Sequence, residues 1–176
     1  MVLGALASGA VFALLALALS RRLGPVAAVG IAGLLWSLVV IALVTLVPAS
    51  GAPGIVPAEG RMLTCSWDIG GPAPDGFWIL QSGQRSLNTL LFVPAGALLV
   101  LAVARWRAAW VLAPIGLVLL GVYSVAIELV QLEVARIDRA CDVTDIVDNV
   151  TGAVIGFGIG VVLALLLRPW RHRRLT

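Results

Sequence analysis

The chain has 176 residues, of which 61% are hydrophobic and only 12% are charged, and its mean hydropathy is +1.08. This composition excludes an ordinary soluble domain and is typical of a polytopic membrane protein. The net charge of +3 comes from arginines scattered among the loops, which form no basic face, so we do not expect a nucleic-acid partner.

Five apolar stretches are long enough to cross a bilayer, which takes about 20 apolar residues. They cover roughly 2–20, 24–47, 87–104, 108–132 and 146–167. The first stretch lacks the basic segment that precedes the apolar run of a signal peptide, and Arg21 and Arg22 follow it directly, so we interpret it as a spanning helix. The sequence therefore predicts an all-α membrane bundle of about five transmembrane helices, built as a single domain over residues 1–176.

The arginines predict how the bundle is oriented. The pairs Arg21/Arg22 and Arg105/Arg107, and the four arginines of 168–174, fall on one side of a five-helix bundle. All nine acidic residues fall at or near the other side. Because basic loops remain in the cytoplasm, we expect the N-terminus to be outside and the C-terminus to be cytoplasmic.

The stretch 48–86 is the one long loop, and the same rule makes it extracytoplasmic. It is rich in Gly and Pro but also contains aromatic residues, which favours a partly ordered cap. Cys65 and Cys141 are the two cysteines of the chain, and both fall on the outer side, where a disulfide persists. We predict a Cys65–Cys141 disulfide; the alternative is two unrelated thiols, because a sequence does not give their separation.

A line of polar residues and glycines follows one face of the fifth helix, because a helix turns by about 100° per residue. This face holds Asp142, Asp145, Asn149, Gly152, Gly156 and Gly160. Asp148 lies at its edge. The glycines recur every four residues, a spacing that lets another helix approach closely. For Asp142 and Asp148, capping of the helix is as good an explanation as a site, whereas Asn149 lies a turn deeper.

Matching polar lines occur on the third and fourth helices. Arg85, Asn88, Phe92 and Gly96 share one face of the third helix, and Gly121, Ser124, Glu128 and Gln131 share one face of the fourth. We predict one cluster at the outer ends of three helices, formed by Arg85, Asn88, Glu128, Gln131, Asp145 and Asn149, with Arg136 or Arg139 closing it from above. The alternative is a network of hydrogen bonds and ion pairs that only holds the helices together.

Three segments in this order resemble the VanZ-like family, which is named after a teicoplanin-resistance protein of bacteria. They are NTLLFVPAG at 88–96, IELVQ at 127–131, and DVTDIVDNVTGAVIG at 142–156. The matching positions are Asn88, Phe92, Pro94, Gly96, Glu128, Gln131, Arg136, Asp142, Asp145, Asn149, Gly152 and Gly156. The resemblance covers roughly 88–160 and implies a small multi-helix protein of the bacterial cell membrane with a role in tolerance to lipoglycopeptides. The long cysteine-bearing loop departs from the commonest form of the family.

The first functional hypothesis is binding of a lipid or cell-wall precursor head group in an outward-facing polar cavity, with the lipoglycopeptide itself as another candidate partner. The ligand-binding residues would be Arg85, Asn88, Gln131, Arg136, Asp142 and Asn149, with arginines on a phosphate and amides on hydroxyls or carbonyls. A purely structural cluster is the bland alternative. Neither the ligand nor the oligomeric state follows from the sequence.

The second hypothesis is an enzyme acting on an outer-leaflet lipid or cell-wall precursor, with Glu128 and Asp145 as acid and base. In another form of it, Glu128, Asp142 and Asp145 hold Mg²⁺ or Ca²⁺, although the sequence requires no cofactor. The only histidine is His172 in the C-terminal tail, so a Ser–His triad or a His-ligated zinc is excluded at the outer face. An ion-coupled transporter built around Glu128 ranks third, since the chain shows no inverted repeat.

Overall fold

The structure, a computed structural model, describes residues 2–47, 64–65, 67, 83–133 and 141–170. It contains α1 (Val2–Leu23), α2 (Pro25–Leu46), α3 (Gln84–Val103), α4 (Ala109–Glu133) and α5 (Val143–Leu167). Each of these helices is long and apolar enough to cross a membrane. The prediction of an all-α bundle with five spanning helices is therefore confirmed.

Two helices begin three residues earlier than hydropathy predicts: α3 at Gln84 instead of 87, and α5 at Val143 instead of 146. The reason is that a polar first turn does not register as apolar sequence but is stabilised by its cap. At α5 the side chain of Asp142 accepts a hydrogen bond from the Thr144 N–H at 2.8 Å, which supports the capping interpretation of Asp142. The extra turns contain Arg85 and Asp145, which the periodicity had already assigned to these helices.

The centre of the bundle is the pair α3 and α5, which form the most extensive helix contact. A Cβ atom at Gly152 or Gly156 would collide with the carbonyl oxygens of Thr89 and Val93, respectively. On α3, Gly96 in turn lies directly against the Ala153 carbonyl of α5. The close approach predicted from the glycine spacing is confirmed, and it buries the polar face of α5 against α3.

The other helices surround this pair. The buried side chains of Ile41 on α2, Phe92 on α3 and Ile127 on α4 form a common core, and the Tyr123 hydroxyl donates to the Leu38 carbonyl at 2.8 Å. In contrast, α1 has no buried residue and packs mainly on α2. It is therefore a peripheral helix.

Short connections join the helices at the end opposite the acidic residues. A single residue, Gly24, separates α1 from α2, and its φ of 77° is in the region that favours glycine, directly before Pro25. The Arg105 guanidinium of the α3–α4 connection donates to the Arg22 carbonyl at 3.0 Å. This bond ties the two short connections together.

Candidate functional site

We use the name polar end for the end of the bundle where α3 and α5 begin and α4 ends. The structure brings the following predicted site residues to it: Arg85, Asn88, Glu128, Gln131, Asp142, Asp145 and Asn149. It adds Asp148. Arg136 and Arg139 lie outside the described residues, so their predicted place above the cluster stays a prediction.

Arg85 and Asp148 form an ion pair that joins α3 to α5. The Nε atom of Arg85 donates to Oδ2 of Asp148 at 3.0 Å, and Nη2 donates to Oδ1 at 3.3 Å. The Asp148 side chain is 0% exposed, whereas 35% of the Arg85 side chain is exposed. Two parallel N–H···O bonds give such a pair a defined orientation as well as strength.

The burial of Asp148 corrects the expectation that it lies at the edge of the polar face as a cap. Asp148 precedes Gly152 and Gly156 by four and eight residues, so it continues the glycine row toward the helix start. Because α3 packs directly on that row, it also covers Asp148. The spacing of four residues between Asp148 and Gly152 was the sequence signal that Asp148 lies under α3.

Glu128 is a buried carboxylate that contacts the start of α5. Its Oε2 atom accepts a hydrogen bond from the Asp142 N–H at 3.1 Å. The Asp142 side chain caps the same helix through Thr144. Asp145 lies in the first turn of α5, half-buried. The positive end of the α5 dipole and these N–H groups thus offset the negative charge of Glu128 and Asp142.

The amides of Gln131 and Asn149 connect helices inside the bundle. Gln131 Nε2 donates to the Thr45 carbonyl of α2 at 3.0 Å, and Asn149 Nδ2 donates to Ser124 Oγ of α4 at 3.0 Å. All four residues are buried. These two amides hold α4 in place against α2 and α5.

Asn88 differs from the other amides. Asn88 is only 8% exposed, yet its side chain makes no hydrogen bond to any other residue that the structure describes. No fully buried side-chain nitrogen or oxygen in the described part of the chain lacks a partner. The Asn88 amide atoms must therefore reach accessible surface, one helical turn from Arg85.

The cysteines are joined as predicted. Cys65 and Cys141 form a disulfide across a sequence separation of 76 residues, and Cys141 is buried directly before the cap residue Asp142. The bridge therefore attaches the long loop to the start of α5. Most of that loop, including 48–63 and 68–82, lies outside the described residues, so its order as a cap stays a prediction.

The arrangement is suited to hydrogen-bonding recognition. Arg85 and Asn88 provide a guanidinium and an amide on one face of α3, and such donors pair with phosphate, hydroxyl and carbonyl oxygens. Among the described residues no group of three or more His, Cys, Asp or Glu side chains is placed to hold a metal ion, so Glu128, Asp142 and Asp145 do not form a ready metal site there.

The sequence model of the VanZ/LLP1 family matches residues 34–166, which are 133 of the 176 residues. No curated protein and no solved structure shows significant similarity to the chain. The matched segment runs from within α2 to the end of α5 and includes every described residue of the polar end, while α1 precedes it. The match confirms the resemblance carried by the three motifs, and the chain belongs to the VanZ/LLP1 family.

Proposed function

We propose that this multi-pass membrane protein lies in the bacterial cell membrane and binds the head group of a lipid or cell-wall precursor at its polar end. Through this binding it would contribute to tolerance of teicoplanin-type lipoglycopeptides. Membership of the family, five spanning helices and the concentration of polar side chains at one end support the proposal. The observation that carries it is the Asn88 amide.

The Asn88 amide reaches accessible surface and has no hydrogen-bond partner among the described residues, so its donors and its acceptor are open to a group of another molecule. One turn away, Arg85 is held in place by Asp148 while a third of its side chain stays exposed. A head group whose hydroxyl or carbonyl contacts Asn88 would bring its phosphate to Arg85. In this proposal Asp148 orients the arginine.

The remaining polar residues would support the site rather than touch the ligand. Gln131, Asn149 and Asp142 each have a hydrogen bond within the bundle that stabilises a helix contact or a helix start. Binding without chemical change is the form that we propose. An enzyme with Glu128 and Asp145 as acid and base is the competing form, and it predicts that the bound lipid is converted.

The test replaces Asn88 by alanine in a bacterial host that expresses the full chain. The wild-type chain is expected to raise the teicoplanin concentration that stops growth, and Asn88→Ala is expected to lose this rise. Its unfolding temperature should stay close to that of the wild type, because no bond within the described chain is lost. Leu87→Ala is the matched control, since Leu87 is adjacent but largely exposed on the apolar surface.

Tolerance that survives Asn88→Ala at equal expression would overturn the site, and no rise with the wild type would overturn the role in tolerance. A direct check is the mass-spectrometric identification of lipids that co-purify with the protein. The wild type should retain a specific head group that Asn88→Ala loses. If incubation changes the mass of that lipid, the enzyme form replaces the binding form.

A further inference from the structure

We use the name arginine end for the opposite end of the bundle, where α3 and α5 end and α4 begins. A cavity of about 480 Å³ lies there between these three helices. Sites that hold a ligand typically have volumes of about 300–1,000 Å³. Nearly all of the lining is apolar, with Val103 from α3, Trp110 from α4, and Phe157 and Val161 from α5.

The cavity results from the way in which the three helices are held together. Glycine-mediated packing keeps α3 and α5 in contact as far as Gly160, where a Cβ would press on Ala97. The hydrogen bond that the Asn149 side chain of α5 donates to Ser124 of α4 lies toward the polar end. At the arginine end the lining residues Ala109 and Ala113 of α4 are too small to fill the space.

Arg107 is the one charged residue among the described residues that line this cavity. It is exposed and makes no ion pair or hydrogen bond with another residue of the described chain, in contrast to Arg105, which is bound to the Arg22 carbonyl. Among the described residues, the parts of α3, α4 and α5 at this end, which lie within 103–113 and 157–170, contain no acidic residue. No described acidic side chain at this end is therefore available to pair with Arg107, and its exposed guanidinium can contact an anionic group of another molecule.

The mouth of the cavity is marked by two tryptophans. Trp110 is 80% exposed, and Trp170 also lines the cavity and is exposed. Indole rings concentrate at the level of lipid head groups, with the apolar ring toward the hydrocarbon. The rings therefore place Arg107 at head-group level and the apolar cavity at the level of the acyl chains.

We infer that this cavity binds one acyl chain of an anionic glycerophospholipid, whose phosphate contacts the Arg107 guanidinium. The lining selects hydrocarbon, because a charged or polar group would be costly there. Arg107 selects an anionic head group, as basic residues next to apolar clefts do in membranes. This site is independent of the proposed function at the polar end.

The test is a lipid titration of the delipidated full-length protein, followed by native mass spectrometry. The probes are phosphatidylglycerol and phosphatidylcholine with identical acyl chains. The wild type should bind phosphatidylglycerol more tightly, and Arg107→Gln should weaken that binding about tenfold by loss of a charge-assisted contact. Arg22→Gln is the control, because Arg22 lies at the same end but does not line the cavity.

A second pair of variants tests the cavity itself. Val161→Phe fills it, and Val162→Phe adds the same ring at a neighbouring position that is exposed and does not line it. We expect loss of phosphatidylglycerol binding in the first variant only. Ala109→Leu, which narrows the cavity from α4, replaces Val161→Phe if the latter fails to elute as a folded protein.

Three results would each overturn the inference: equal binding of the two lipids by the wild type, unchanged binding by Arg107→Gln, or unchanged binding by the cavity-filling variant. Asn88→Ala should keep the part of the phosphatidylglycerol binding that is lost in Arg107→Gln. The two sites can therefore fail independently of each other.

Discussion

Asp148 is a carboxylate inside a membrane bundle, and its only tolerable state there is a paired one. Burial of an ion costs several kcal/mol unless its partner and geometry compensate. The two hydrogen bonds from Arg85 supply that compensation and join positions 63 residues apart in the sequence. The pair thereby fixes the start of α3 against the start of α5 and orients the proposed head-group site.

We expect Asp148→Leu to lower the free energy of unfolding by about 2 kcal/mol, because it removes both hydrogen bonds between Arg85 and Asp148. The value is below that of a fully buried pair, since solvent reaches Arg85. Thermal unfolding in detergent measures it. Glu133→Leu, at an exposed acidic position on α4, should change the stability by less than about 0.5 kcal/mol.

A double-mutant cycle separates the energy of the Arg85–Asp148 ion pair from the energy of side-chain packing at these two positions. If the ion pair is the cause, Arg85→Leu combined with Asp148→Leu should cost less than the sum of the two single changes. Strict additivity of the two effects would contradict the role assigned to the pair.

Among the elements, α3 and α5 depend on glycine. Lipid tails are as apolar as leucine, so helices in a bilayer associate through close packing and hydrogen bonds instead of burial from water. The row Gly152, Gly156 and Gly160 gives α3 backbone-to-backbone access to α5. At Gly158 on the same helix, an added Cβ would have nothing within 4 Å. Only the face that packs on α3 therefore requires glycine.

This contrast predicts opposite outcomes for two neighbouring substitutions. Gly156→Ala should lower the free energy of unfolding by about 1–3 kcal/mol, because its Cβ meets the Val93 carbonyl and forces α3 away. Gly158→Ala should be neutral or stabilising by up to about 1 kcal/mol, the helix-propensity gain of alanine over glycine. Unfolding in mixed detergent measures both. Equal effects would show that the glycine row does not mediate the contact.

On the scale of the whole molecule, the disulfide attaches the long loop to the start of α5, the helix that carries Asp145 and Asp148. Cys141 immediately precedes the cap residue Asp142, whose N–H donates to Glu128 of α4. The bridge, the cap and the α4 contact therefore meet at one point. Loosening the loop should disturb the start of α5 before it disturbs the rest of the bundle.

We expect the double substitution Cys65→Ser/Cys141→Ser to destabilise the protein by about 2–4 kcal/mol, through the entropy of the opened loop. The value is an upper range, because helices that stay inserted in the membrane already restrict the unfolded chain. Thermal unfolding measures the loss. Reductant should also change the gel mobility of the wild type but not of the double variant, and an unchanged wild-type mobility would show that the bridge is absent.

The orientation of the bundle is a prediction from its charges. With the arginine end in the cytoplasm, a fluorescent protein fused after residue 176 should be fluorescent, and alkaline phosphatase fused there should be inactive. Alkaline phosphatase inserted in 48–63 should be active. The reverse pattern would invert the bundle and would place both cysteines in a reducing compartment.

The sequence by itself determined the number of helices and the polar and glycine rows, whereas the pairing of the two cysteines needed the separation that the structure supplies. These features are local: an apolar run of bilayer length makes a helix, and a turn of about 100° per residue decides which residues share a face. Hydropathy alone started the third and fifth stretches at 87 and 146, but the periodicity and the capping residue already assigned Arg85 and Asp142 to the starts of these helices, close to Gln84 and Val143.

Only the tertiary structure decided how these faces are used. Three features depend on how far apart the helices lie and at what depth their residues meet. They are the burial of Asp148 against Arg85, the Asn88 amide without a partner among the described residues, and the cavity beside Arg107. These are relations between segments distant in sequence. The periodicity of one helix does not predict them, because the packing of neighbouring helices decides which polar group is enclosed and which remains open to another molecule.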